Sequence, residues 1–136
     1  MADPRAFISF DFDHDETEKT LFVEQGKNSK TPLSIQDWSA KSSMARSEWE
    51  AIVKEKINKC NMLIVLSGKT IASATNVAKE IAMAEEQDVP VFGVYVDGAG
   101  TSNNLPKGLQ RNRIIAWEWD QIANGIDKMM TEDKNK

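Results

Sequence analysis

The sequence predicts an α/β fold: a parallel sheet of about five strands with helices on both faces. Three observations carry this reading. Met62–Leu66 ("MLIVL") and Val89–Val96 ("VPVFGVYV") are nearly unbroken apolar runs, the mark of strands buried on both faces. Segments around Ser47–Cys60, Thr75–Gln87 and Asp120–Met130 repeat their apolar residues at helical spacing. The two kinds of segment alternate along the chain, and alternating units build a parallel sheet through right-handed crossovers.

The elements follow in order. Arg5–Phe10 ("RAFISF") is a short apolar run before a cluster of acids and reads as the first strand. Asp13 and Glu16 have the spacing of a capping box, so a helix starts there and runs to about Val23. Gln25–Thr31 is polar, contains Gly26 and reads as a loop. Leu33–Asp37, preceded by Pro32, is a weak second strand. Ser47 and Glu50 form a second capping box, and Trp49, Ile52, Val53, Ile57 and Cys60 extend it into a helix over about Glu48–Lys59. Met62–Leu66 is the third strand. Thr75–Gln87 is a helix with Val77, Ile81 and Ala84 on one face. Val89–Val96 is the fourth strand, ended by Asp97-Gly98, and turn formers make Gly98–Lys107 a loop. Arg113–Trp117 is the last strand, Asp120–Met130 an amphipathic closing helix, and Thr131–Lys136 a frayed tail. All 136 residues read as one domain with its core over about 5–130.

Bulk properties narrow the function. The formal net charge is -4 and no basic run occurs, which argues against nucleic acid as a partner. Cys60 is the one cysteine, so no internal disulfide is possible, and a reducing, cytoplasmic setting fits. No apolar run has the length of a signal peptide core or a membrane span, so no membrane association is expected.

Open parallel sheets bind ligands beyond the carboxyl ends of their strands. Asp11, Asp13, Asp15 and Glu16 after the first strand, Ser67 after the third and Asp97 after the fourth all fall on that rim. Several chemistries fail on spacing. Asp11, Asp13 and Asp15 begin like a calcium loop, but the sixth position is Glu16 instead of Gly and the twelfth is Phe22 instead of Glu. "SGKT" at Ser67–Thr70 looks like the end of a phosphate loop, but the glycine that should open that loop falls at Leu63, inside the strand. A response-regulator receiver stays open as a third reading: it shares the strand and helix order and an acidic, magnesium-holding cluster, but needs a phosphate-accepting Asp where this chain has Ser67, and Asp97 ends the fourth strand instead. His14 alone builds no histidine metal site, and Cys60 reads as a core residue at a helix end. No metal site is expected. Glu80 lies about 40° from Ala84 and about 60° from Val77 around its helix, at the edge of the apolar face. Spacing alone favours a solvated acid there, paired with Lys79 or Lys54.

The combined motifs resemble a known family. "RAFISFDFDHDE" is similar to the opening strand and acidic loop of TIR domains, "CNMLIVLSGKTIASATNVAKEIAMA" to their central strand, loop and helix, and "VPVFGVYVD" to the strand that follows. With "DWS" at Asp37–Ser39, the chain most resembles the TIR-like family of the bacterial Thoeris anti-phage defence system, over about Arg5–Trp117. The resemblance implies a flavodoxin-like, three-layer fold that takes NAD as a substrate, with no separate cofactor. It implies an NAD glycohydrolase or ADP-ribosyl cyclase that breaks the bond between nicotinamide and ribose. The product would be a cyclic or modified ADP-ribose that signals to a separate effector protein. The catalytic glutamate of enzymatic members maps onto Glu80. Ser9, Phe10, Asp11, Asp37, Ser67 and Asn76 are the expected nucleotide-binding residues. Asp13 and Glu16 would then cap the first helix, and Asp13 and Asp15 would point away from the pyrophosphate. The family also contains non-catalytic interaction modules. Asn76 and Lys79 stand where many relatives carry tryptophans. Catalytic TIR domains commonly complete their cleft with a neighbouring protomer, so self-association is expected. Trp117 and Trp119, alternating across the end of the last strand, would place one ring outward as a contact anchor, or both would pack against the closing helix.

Overall fold

Steric branching and apolar character select extended backbone in the runs that form the sheet, and the polar, helix-favouring stretches between them carry the crossovers. The computed structural model describes residues 5–10, 34–36, 46–68, 71, 75–96, 105, 109 and 113–132. The strands are β1 (Arg5–Ser9), β2 (Ser34–Gln36), β3 (Met62–Ser67), β4 (Val91–Tyr95) and β5 (Ile114–Ile115). The helices are α1 (Arg46–Asn58), α2 (Thr75–Glu86) and α3 (Trp119–Glu132). All strand pairs are parallel, in the order β2-β1-β3-β4-β5. This is the doubly wound order of flavodoxin-like folds, whose topological switch point lies between β1 and β3.

Both faces of the sheet are buried, and the two-residue period of a strand divides the core between them. Phe7, Leu63, Val65, Val91 and Ile114 pack with Val53, Ile57 and Cys60 of the α1 end and with Val77, Ile81 and Ala84 of α2. The alternate residues Ala6, Ile8, Phe10, Met62, Ile64, Leu66, Phe92, Val94 and Val96 pack with Ile122, Ile126 and Met129 of α3. Helices therefore cover both faces, as the sequence predicts. Gly125 brings α3 close to the sheet: a Cβ there would stand 3.1 Å from Phe92 Cε2 and 3.4 Å from Ile115 Cδ1. Arg113 fastens the short edge strand, donating from Nε to the Val91 carbonyl at 2.9 Å and from Nη2 to Met129 Sδ at 3.1 Å.

Several boundaries differ from the sequence reading. α1 begins at Arg46, so Ser47 lies in its first turn and not before it, and Glu50 pairs with Lys79 of α2 at 2.5 Å. The α1 end tightens through i to i+3 bonds, Lys59 N–H to Lys56 carbonyl and Cys60 N–H to Ile57 carbonyl, and turns Cys60 into the core. β5 has two residues and not five, because Trp119 already opens α3. Trp117 and Trp119 therefore both lie outside the strand whose alternation was expected to direct them. Trp117 packs partly buried against the α3 cluster. The helix expected at 13–23, the loop at 25–31 and all but Leu105 of the loop at 98–107 lie outside the described residues. No described helix is long and apolar enough to cross a membrane.

α2 ends in a Schellman motif. The Val89 N–H reaches the Ala84 carbonyl at 2.9 Å and the Asp88 N–H reaches the Glu85 carbonyl at 3.2 Å. Asp88, the residue between, takes a left-handed φ of 59°. Val89 and Ala84 join the same core cluster, which aims the chain into β4. A non-glycine residue carries strain at such a φ. Asp88→Gly is therefore expected to raise stability by up to about 1 kcal/mol, the relief being partly offset by the freer unfolded chain. Asp88→Val should lower it, and urea denaturation midpoints of the two variants check both signs.

Candidate active site

Ser9, Ser67 and Tyr95 close β1, β3 and β4 at their carboxyl ends. Strand parity gives all three the same direction. Ser9 shares a face with Phe7, Ser67 with Leu63 and Val65, and Tyr95 packs against the same cluster, on the side of α1 and α2. Register sets their spacing along the sheet: Ser9 pairs with Val65, and Ser67 pairs with Tyr95. Three hydroxyl side chains therefore sit at the ligand-binding edge of an otherwise apolar layer, around the β1/β3 switch point.

α2 adds the fourth group. Its face toward the sheet carries Val77, Ile81 and Ala84, and Glu80 turns in beside them and is only 1% exposed. Ser9 Oγ donates a hydrogen bond to Glu80 Oε1 at 2.5 Å. That length is at the short end of the O–H···O range. The solvated, lysine-paired acid favoured by spacing is thus replaced. Lys79 is taken by Glu50, and Lys54 pairs with Glu86 at 3.4 Å on the surface. The physical reason is tertiary: where α2 crosses the strand ends, the edge of its apolar face meets Ser9 and not water. Burying a carboxylate costs several kcal/mol unless dipoles or hydrogen bonds replace its hydration. Such a cost is most often met at sites of chemistry.

Ser67 and Tyr95 add a different feature. Ser67 is fully buried and Tyr95 half-buried, and among the described residues neither Ser67 Oγ nor the Tyr95 hydroxyl oxygen has a hydrogen-bond partner. A buried polar group left unsatisfied costs about 1–3 kcal/mol. The sequence reading placed Ser67 on the rim but passed over Tyr95, which looked like one more bulky residue of a buried strand. The signal available was its place as the last residue before Val96-Asp97, on the face of Val91 and not of Phe92.

The other expected ligand-binding residues separate from this cluster. Phe10 is 1% exposed, with its ring in the opposite layer against α3, because it follows Ser9 by one residue and so faces the other way. Asp11 and Asp37 lie outside the described residues, and Asn76 is described only as a backbone position in the first turn of α2. Among the described residues no three His, Cys, Asp or Glu side chains are placed to hold a metal ion. His14 and the acids from Asp11 to Glu16 lie outside them. Removing the donor in Ser9→Ala is expected to cost about 1–3 kcal/mol, since Glu80 keeps its burial and loses a partner. In a Glu80→Gln background the same change should cost less, because the bond to a neutral amide is weaker. A double-mutant cycle by urea denaturation measures the difference, and a coupling of zero would mean the hydrogen bond contributes nothing.

Comparison with known proteins places this arrangement. The family described as "Thoeris protein ThsB, TIR-like domain" matches residues 7–101, a span that holds Ser9, Ser67, Glu80 and Tyr95. A prokaryotic SEFIR domain has a similar fold, with a TM-score of 0.59 at 13% sequence identity, over 95% of this chain and 91% of that one. A 3-dehydroquinate dehydratase-like protein from Bifidobacterium longum aligns over 96% of this chain and 97% of its own at 12% identity, but its TM-score of 0.44 carries no weight. No curated protein matches the chain. The family match covers more than half of the sequence and all four polar residues at the strand ends, and the chain belongs to the TIR-like domain family of Thoeris ThsB proteins.

Proposed function

We propose that this chain is an NAD-consuming signalling enzyme of anti-phage defence that cleaves the bond between nicotinamide and ribose. The observation that carries the proposal is Glu80: a carboxylate held by Ser9, buried at the carboxyl ends of a parallel sheet and beside its switch point. The chemistry suits one carboxylate. Nicotinamide is bound as a cationic pyridinium and leaves neutral, taking the electron pair of the broken bond, so no strong acid is needed to expel it. The ribose carbon then passes through an oxocarbenium-like state, as in glycoside hydrolysis. A fixed negative charge beside it stabilises the developing positive charge, and its low-dielectric surroundings strengthen the effect. Water attacking that carbon gives ADP-ribose and a proton. Attack by a nucleophile of the same molecule gives a cyclic product and also releases a proton.

In this reading Ser9 orients Glu80, while Ser67, Asp11, Asp37, Asn76 and the backbone near Phe10 bind the nucleotide. The product diffuses to a separate effector protein in the cytoplasm. Neither a metal nor a resident cofactor takes part. The edge of a small sheet offers a dinucleotide a single wall, and ligands of this size are usually buried on most sides. A second protomer supplies the other wall.

Glu80→Gln is expected to lower NAD turnover by about 10²-fold or more while shifting folding stability by no more than about 1 kcal/mol. Mass spectrometry of NAD incubated with the pure protein, with and without lysate of phage-infected cells, reads the products. Turnover by Glu80→Gln at the wild-type rate under activating conditions removes Glu80 from catalysis. Absence of turnover by the wild type under every condition favours an interaction module. Specific activity should also fall on dilution as the protein dissociates. Sedimentation velocity with NAD present, run beside the activity series, checks it; constant specific activity in a strictly monomeric protein would sink the shared cleft.

A further inference from the structure

Ser67 and Tyr95 are register partners on adjacent strands, on the face that also receives Glu80 and Ser9. Their hydroxyl oxygens are buried, and neither has a hydrogen-bond partner among the described residues. Folded proteins satisfy nearly all their buried polar groups. Two neighbouring exceptions here fall where ligands of parallel sheets bind. Packing alone does not call for them, since alanine and phenylalanine would occupy nearly the same space without a polar atom to satisfy.

We propose that the Ser67 and Tyr95 hydroxyls form a ligand-reading pair that hydrogen-bonds a ribose diol of the bound ribonucleotide. Each protein hydroxyl both donates and accepts, as does each hydroxyl of a vicinal diol, so the two sets match. A phosphate only accepts, and the carboxylate of Glu80 on the same face repels it. The diol is therefore the part of a nucleotide that this layer receives. The pair carries a cost that a bound diol removes, which makes recognition of the diol steep: a ligand without it leaves both groups unsatisfied. The inference rests on the ribonucleotide substrate proposed above and adds Tyr95 to its binding residues.

The test combines binding with stability of the free protein. Calorimetric titrations use carbocyclic NAD, in which carbon replaces the ring oxygen of the cleavable ribose, and AMP, which retains only the adenosine ribose. They compare the wild type with Ser67→Ala and Tyr95→Phe. Each variant is expected to bind carbocyclic NAD about ten-fold more weakly. Each should also melt about 2–4 °C higher when free of ligand, because a buried unsatisfied group has been removed. Equal affinity in all three proteins overturns the inference and leaves the NAD reading standing. Binding of AMP but not of carbocyclic NAD overturns the NAD reading; the inference then stands only if both variants lose AMP affinity. Binding of neither ligand by the wild type overturns both. A lowered melting temperature of the free variants, whatever their binding, means that the hydroxyls are already satisfied within the protein and overturns the inference.

Discussion

A short hydrogen bond joins Ser9 at the end of β1 to Glu80 in the middle of α2, across 71 residues of chain. Everything at the edge of the sheet depends on the arrangement that allows it. β1 must lie beside β3, α2 must cross on the face that Ser9 points to, and the strand must stop at Ser9 and not one residue away. Had the register of β1 slipped by one, Phe10 would face α2 and Ser9 would face α3. The carboxylate would then be buried without its donor, at a cost of several kcal/mol. The bond is therefore a check on register as well as a feature of the site.

The apolar layers meet that requirement by surrounding the polar cluster on one side only. Below it, Phe7, Leu63, Val65 and Val91 pack against α1 and α2 with almost no exposed surface. The buried polar residues Ser9, Ser67 and Glu80 all lie on this side, while Ala6 to Val96 pack with α3 on the other. The asymmetry concentrates unmet hydrogen-bonding capacity at one end of one face. Glu80 brings a buried carboxyl group there, and Ser67 and Tyr95 carry hydroxyls with no partner among the described residues. A stable scaffold with a poorly satisfied edge is the ordinary compromise between folding and ligand binding. The ion pairs over the outer surface, Lys79 with Glu50 and Lys54 with Glu86, add little to stability by comparison.

Much of the fold was legible in the sequence, since branched apolar runs and helical periodicity are local properties. Met62–Ser67 and Thr75–Glu86 appear within a residue or so of where the patterns put them. Cys60 also sits where its helical spacing implied, in the core at the end of α1. Local signals failed where two readings shared one pattern. The Ser47–Glu50 spacing mimics a cap, yet α1 starts before it and Glu50 turns to Lys79. Trp117 and Trp119 look like the alternation of a strand, but the second already belongs to α3.

By itself the sequence determined the alternating architecture, the inward face of α2 and the place of Ser67 on the rim, because periods of 2 and 3.6 residues are written in neighbouring positions. Tertiary structure alone decided which of those polar residues meet. Spacing put Glu80 at the edge of an apolar face, where solvent and sheet are equally near. The packing of α2 against the strand ends turned that edge onto Ser9, and the pairing of Ser67 with Tyr95 brought in a hydroxyl hidden among the bulky residues of a buried strand. Burial and partnership depend on residues distant in the chain, so they exist only once the sheet has assembled.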